Sequence, residues 1–487
     1  MLGGAGCGIA APAARPKPTI LIVGFGIPAA EAPQHGMQEA VRVIALEGLA
    51  TFDRVGRPQP SLAESWSEAP DGLSWRIHLR PSVRFHDGKL LDASAVVDLL
   101  RRHLPEQMGP ANADVSDIVA DGDRDVLIRL NARSAFVPEA LEIPLEESGH
   151  PGIGTGPFRI SLSSSDGLEM GVNQDYYFGP SRIDRIVFKP YANLRAAWAD
   201  MLRGRVDVLY DVDPDAFDLL QRASTVRVFE FPQHYAYIVV FNMRRPLWKD
   251  RRIRQALNTA IDRDRLIADG LQGHGVPAAA SVWPEHWAHD GSRPIFVHDP
   301  ALANAVFIAA HRGDGATQSL TTDRTRFSCL FPDAVPERLA LGMQQQLQAF
   351  GIDMKPEVAS LQEFNRKFTT GDFDAVLLAA RTAPSLLRTY QWWHSGAPFN
   401  FGGFHSDAVD SALDAIRHSR DEATYKHGVA AFQQAIVDDP PAIFLAWSTR
   451  IRAVSNRFDV APDPSGDVLK TLRLWRPIGD ERMAGKN

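Results

Sequence analysis

The residues able to do chemistry in this chain are scattered, and their spacing argues against most reactions. His86 and Asp87 adjoin in Val83-Arg-Phe-His-Asp-Gly88, but neighbouring residues of a strand point to opposite faces and do not work as a base pair. No second histidine pair stands at metal-ligand spacing, and there is no G-x-S-x-G elbow, H-E-x-x-H helix or Cys/His nucleophile arrangement. Gly24-Phe25-Gly26-Ile-Pro-Ala29 follows an apolar strand and formally fits G-x-G-x-x-A. Pro28 and Pro33, however, interrupt the helix that would aim its N-terminus at a pyrophosphate. Gly149 to Ile160, G-H-P-G-I-G-T-G-P-F-R-I, lacks the Lys-Ser/Thr pair of a phosphate loop, and its Pro157 leads into a strand. The expectation is a binder and not an enzyme, with no catalytic residue, metal or cofactor.

The densest candidate surface runs from Arg381 to Phe404, R-T-A-P-S-L-L-R-T-Y-Q-W-W-H-S-G-A-P-F-N-F-G-G-F. Thr382, Tyr390, Trp392, Trp393, His394, Phe399 and Asn400 stand there among glycines, a composition poor for helix and for strand. Aromatic faces with a few oriented polar groups suit the capture of a small solute; the same rings also serve to plug a core. Arg381 and Arg388 favour an anionic or carboxylate-bearing solute. No carboxylate lies between Asp374 and Asp407, so a buried ammonium would lack a counter-charge there. Glu146 and Glu147, which gather with Glu142 beside Pro144, are the alternative source, as a rim for cations or as a solvated face.

These residues need a scaffold, and 487 residues are too many for one core, which implies two or three domains. Apolar residues at 45% and charged residues at 23% describe an ordinary globular chain, and a net charge of -7 gives no support for binding nucleic acid. No apolar run reaches the roughly 20 residues of a membrane span. Cys329 reads as a small buried hydrophobe. Cys7, in Leu2-Gly-Gly-Ala-Gly-Cys7-Gly8, resembles a lipid-attachment site, without the basic and apolar regions of a leader. A shortened signal peptide and a flexible Ala/Pro terminus both stay open.

The elements follow from pattern. Thr19 to Val23 reads as a strand and Ala40 to Leu49 as a helix. Leu62 to Trp66 carries a helical signal. The turn Asp71-Gly72 precedes alternation at Leu73, Trp75, Ile77 and Leu79, which Val83 and Phe85 resume. Asp92 or Ser94 caps a helix bearing Val96, Val97, Leu99 and Leu100. Leu194 to Leu202 is a helix and Tyr235 to Phe241 a strand, and Ile253, Ala256, Leu257, Ala260 and Ile261 share one helical face. Glu337 to Phe350 is an amphipathic helix closed by Gly351, and Asp439-Pro-Pro441 stops a later helix before the strand Ala442 to Trp447. Helix-to-strand alternation of this kind is α/β wiring.

Leu62-Ala-Glu-Ser-Trp66, Leu79-Arg-Pro-Ser-Val-Arg-Phe-His-Asp-Gly88, Gly154-Thr-Gly-Pro-Phe158, Phe241-Asn242 and Asp250-Arg-Arg-Ile-Arg-Gln-Ala-Leu257 with Ala260-Ile-Asp-Arg263 stand in this order. Together they resemble the landmarks of the family 5 (cluster C) extracellular solute-binding proteins of ABC importers, over residues 19 to 475. The resemblance implies an α/β fold of the periplasmic-binding-protein-like type II, two lobes joined by a hinge, with an extra α/β subdomain inserted in the first lobe. The implied division is a terminus at 1–18, first lobe at 19–45 and 155–241, inserted subdomain at 46–154, second lobe at 242–452, and return to the first lobe at 453–487, with the hinge near Phe241 to Arg245. It further implies ligand contacts from Phe25, Gly26, Glu146, Glu147, Asn242 and the 381–404 segment. The implied partners are a small-molecule solute and ABC permease subunits. The chain would act as a monomer at the periplasmic or extracellular face of the cytoplasmic membrane, with lipid anchoring through Cys7 where the shortened-leader reading holds. Many peptide binders of the family place Asp before Pro in the aromatic segment; Ala383-Pro384 stands there in this chain. Opines, oligosaccharides and metal chelates therefore compete with peptides as the expected solute. A cytosolic sensor with the same fold is the alternative of a different class.

Overall fold

The structure, a computed structural model, describes residues 17–26, 33–147, 150, 152–164, 167–212, 214–312, 325–332, 334–461, 463 and 466–479. Among these, an eleven-stranded sheet passes through both lobes. In the first lobe, strand Ile20–Gly26 lies parallel to Arg185–Tyr191 on one side and Val208–Leu209 on the other, followed outward by Gly167–Val172 and Phe158–Ser164. In the second lobe, Arg326–Phe331 pairs in parallel with Asp353–Val358 and Ala375–Arg381. Two long antiparallel strands, Val226–Phe241 and Ala442–Ser455, join these halves. Their register slips between Pro232 and Ala236, where proline cannot donate to the ladder. Strand Ala442–Ser455 runs through the expected boundary at 452/453 without a break.

Period-2 burial explains the long strands. Ile238 and Val240 face one core while Val239 and Phe241 face the other. On one side of the second lobe pack helices Arg251–Ala260, Arg263–Gly270 and Ala334–Gln348. Asp250 and Asp262 cap the first two of these, accepting from Arg252 N at 2.9 Å and Arg265 N at 3.0 Å. On the other side lie Asp407–Arg417, Glu422–Asp438 and Leu386–Trp393.

The inserted subdomain is a four-stranded antiparallel sheet, Ala63–Glu68, Ser74–Leu79, Asp125–Leu130 and Val115–Asp121, backed by helix Ala93–Met108. Asp92 caps that helix, accepting from Ala95 N at 2.8 Å. Three local expectations need correction. The helix expected at Ala40 to Leu49 runs Pro33–Ala45 instead, and Glu47 beyond it forms a bridge with Leu145. The 62–66 signal belongs to a strand, because the Asp71-Gly72 turn folds Ala63–Glu68 back onto Ser74–Leu79, and so short a run gains little as an isolated helix. Val83 and Phe85 are buried beside a turn, where a single bridge joins Arg84 and Leu90 and Gly88 adopts φ +92°.

Although inserted in the first lobe's sequence, the subdomain shares one apolar core with the second lobe, from Phe136, Val137 and Ala140 through to Tyr390, Trp393 and Phe432. Glu139, 6% exposed, fixes that seam. Its carboxylate accepts from Ser385 Oγ at 2.6 Å, Leu387 N at 2.9 Å and Tyr425 Oη at 2.6 Å. A carboxylate of the subdomain thereby helps to cap a helix of the second lobe. Burial raises its pKa, and these three donors pull the other way without cancelling the rise.

Candidate functional site

Ligands of open α/β sheets bind beyond the C-terminal ends of parallel strands, where the strand order reverses. Strand Ile20–Gly26, with later parallel strands on both sides, is that point in the first lobe. The chain leaves the neighbouring strand Val208–Leu209 into Tyr210 and Asp211, and the second lobe's strand Ala375–Arg381 ends in Arg381 and Thr382. Arg381 lies opposite Tyr235 in the ladder, beside the register slip of the long strands.

The two walls carry mirrored charge. On the second lobe's side, Arg381 Nη2 donates to Glu142 Oε1 at 2.7 Å, while Arg388 Nη2 lies 3.5 Å from Glu142 Oε2. Two guanidiniums share one carboxylate, and Arg381 keeps 40% of its side chain exposed. Burial acts to raise the Glu142 pKa, but Arg381, Arg388 and Lys470 outweigh it and hold the carboxyl below its usual range. On the first lobe's side, Arg450 is shared by two carboxylates, Asp211 at 2.6 Å and Glu39 at 3.1 Å, which are 43% and 42% exposed. The Arg450 and Arg452 guanidiniums both lie over the Tyr210 ring, 4.7 and 4.3 Å from its centre. One wall has a surplus positive charge and the other a surplus negative one. The walls sense each other, since Glu39 contributes to raising the Arg381 pKa, after Glu142 and Tyr235.

Of the expected residues, the structure brings Arg381, Thr382 and Trp392 to this place. Trp392 Nε1 donates to Arg381 O at 3.3 Å, and Thr382 Oγ1 is buried with no hydrogen-bond partner among the described residues. The others engage different partners. Phe25 stacks on Tyr210 at 4.4 Å inside the first lobe's core, and Gly26 is pressed so closely on helix Leu194–Leu202 that a Cβ would sit 2.4 Å from Leu194 Cα. Glu146 accepts from Gly152 N and Glu147 pairs with Lys89, both within the subdomain's own loops. Asn242 spends its amide on Gly371 O at 2.9 Å and Phe373 O at 2.8 Å. Asn400 closes its own turn, donating to Phe404 O at 2.7 Å. Tyr390 stacks on His394 at 4.5 Å and receives Arg417 at 2.8 Å, and His394 lies 3.7 Å from Asp414. Trp393 is 1% exposed and Phe399 is 38% exposed.

The aromatic segment is a helix where composition argued against one. Leu386–Trp393 forms because Ser385 and Glu139 cap it and because tertiary contact buries every residue but Arg388. Glu39, Asp211 and Arg450 had no local motif; the position of Asp211 just past a short strand was the one available signal. Cys7 lies outside the described residues. Cys329 is fully buried, which pushes its thiol up to about 12. A separate recess of about 190 Å3 opens among Arg245, Ser328, Lys367 and Asp374, at the other end of strand Ala375–Arg381. Its Asp374 is already engaged by Arg245 at 3.1 Å and by Ser328.

Residues 57–400 match the profile of the bacterial extracellular solute-binding proteins, family 5, middle region. The oligopeptide-binding protein AppA of Bacillus subtilis is 25% identical over 460 residues, covering 85% of this chain and 83% of AppA. Its structure with a nonapeptide superposes with a TM-score of 0.77 at 21% identity, covering 95% of this chain and 100% of that one. The glutathione-binding protein GsiB of Pectobacterium atrosepticum is 24% identical over 494 residues, covering 93% of this chain and 94% of GsiB. The binding protein AgaA of A. tumefaciens, solved with agropinic acid, gives a TM-score of 0.78 at 19% identity, covering 94% and 98% of the two chains. The fold is that of a type II solute-binding protein. The chain belongs to family 5 of the extracellular solute-binding proteins, the capture components of ABC importers.

Proposed function

We propose that this protein captures a small bipolar solute between its lobes, with a carboxylate on Arg381 and Arg388 and a cationic or donor group toward Glu39 and Asp211. The observation that carries the reading is the mirrored charge of the two walls. A solute with opposite poles satisfies both at once and favours the closed arrangement through contacts that either wall alone lacks. AppA with its nonapeptide and GsiB, named for glutathione, point to peptide-like solutes carrying both kinds of group; agropinic acid on AgaA extends the class to other carboxylates. We place the bend of the closing motion at Pro232 to Ala236, earlier than the sequence landmarks imply, because pairing of the long strands is interrupted there. The protein acts without changing its solute and passes it to permease subunits, as a monomer at the outer face of the cytoplasmic membrane, with lipid attachment through Cys7 as an added element of this reading.

Native mass spectrometry of protein purified from its host identifies the co-purified solute, and calorimetry with that solute tests the site. Arg381→Gln removes a charge-assisted hydrogen bond of about 1.5–3 kcal/mol, so affinity falls roughly 10- to 150-fold. Unchanged affinity would remove Arg381 from the site.

A further inference from the structure

Glu142 comes from the inserted subdomain, yet it is the residue closest to both guanidiniums at the end of strand Ala375–Arg381. Its carboxylate makes the contact-distance group Arg381, Arg388 and Glu142 carry one net positive charge. Further out, the positive Lys470 acts on Glu142 and the negative Glu39 acts on Arg381, and these offset one another. Glu142 is 21% exposed and Arg388 16%, so the pair is only partly screened by solvent. One anionic charge neutralises such a group; two leave it negative. Without Glu142 the same two guanidiniums would hold two negative charges in balance, with planar forks suited to more than one carboxylate.

We propose that Glu142 is the specificity-determining residue of the cleft, a built-in counter-ion with which the inserted subdomain restricts the anionic end of the solute to a single carboxylate. This inference rests on the Arg381 and Arg388 site proposed above and adds to it the charge class admitted there. A solute carboxylate takes the outer, exposed edge of Arg381 while Glu142 keeps the inner one. A neighbouring second carboxylate on the solute meets Glu142 as a like charge.

The test uses simple anions, because they report on the site whatever the natural solute is. Acetate and malonate are titrated into the full chain, and the Arg381 side-chain N–H resonance together with thermal stability reports binding. Wild type responds to both ions and prefers acetate on a per-ion basis. In Glu142→Gln the malonate-to-acetate affinity ratio rises on the order of tenfold, the step expected from removing one partly exposed charge. Glu142→Asp keeps the wild-type ratio, which a purely packing role would not require. A ratio unchanged in Glu142→Gln, while Arg381→Gln abolishes the thermal-stability response to both ions, overturns this inference and leaves the proposed site standing. A wild type blind to both ions, or an Arg381→Gln protein that still responds normally, overturns the site as well.

Discussion

Trp393→Ala separates the two roles that the aromatic segment was able to fill. Trp393 is 1% exposed, donates its indole N–H to Ser281 Oγ at 2.8 Å and meets Phe444 edge-on at 5.8 Å. Truncating a buried tryptophan costs about 3–5 kcal/mol, and the lost hydrogen bond adds about 1 kcal/mol. The sum, about 4–6 kcal/mol, is a large part of the 5–15 kcal/mol that holds an ordinary domain together. Urea unfolding followed by far-UV circular dichroism is therefore expected to show a far lower midpoint, while the fraction that stays folded binds solute with unchanged affinity. A variant within ~1 kcal/mol of wild type stability that has lost its affinity would show that the ring contacts solute, and the core assignment would fail.

Two further outcomes follow from Glu139 and Glu142. Glu139→Ala strands the donors of Ser385, Leu387 and Tyr425 and costs about 3–5 kcal/mol; hydrogen exchange of helices Phe136–Ala140 and Leu386–Trp393 should accelerate together, and separate behaviour would mean that the seam is held by other contacts. Glu142 has a depressed folded pKa, so its stabilising contribution is present above its unfolded value and is lost as pH falls through the folded one. The stability difference between wild type and Glu142→Gln is therefore expected to shrink as pH falls from neutral below the ordinary carboxylate range, as read by urea midpoints, and a pH-independent difference would refute the ion pair's role.

Much of the scaffold was legible because it depends on short-range signals. The cap Asp92, the helix Leu194–Leu202 and the strand ahead of Asn242 follow from period, capping chemistry and turn residues. Of the site proposed above, the part legible beforehand is the stretch continuous in sequence, at Arg381, Thr382 and Trp392. Its acidic wall joins Glu39, Asp211 and Arg450 from three distant segments, and no local pattern brings those together. Glu142 was visible as one of three neighbouring carboxylates, but which of the three meets the arginines depends on how the subdomain packs, and Lys89 claims Glu147 by proximity alone. Phe25 and Asn242 carried motif signals that turn out to serve the core and a loop closure.

The order of strands in the first lobe has a consequence for biogenesis. Strand Val208–Leu209 sits between Ile20–Gly26 and the end of Ala442–Ser455, where Val454 pairs with Val208. A chain synthesised from its N-terminus finishes the subdomain and most of the second lobe while the first lobe still lacks its last strand. Closure of so many long-range pairings is slow, and the half-built lobe displays unpaired edge and apolar surface meanwhile. The final few dozen residues thus complete the first lobe's sheet, and a chain cut before Arg450 lacks the residues that pair with Val208–Leu209.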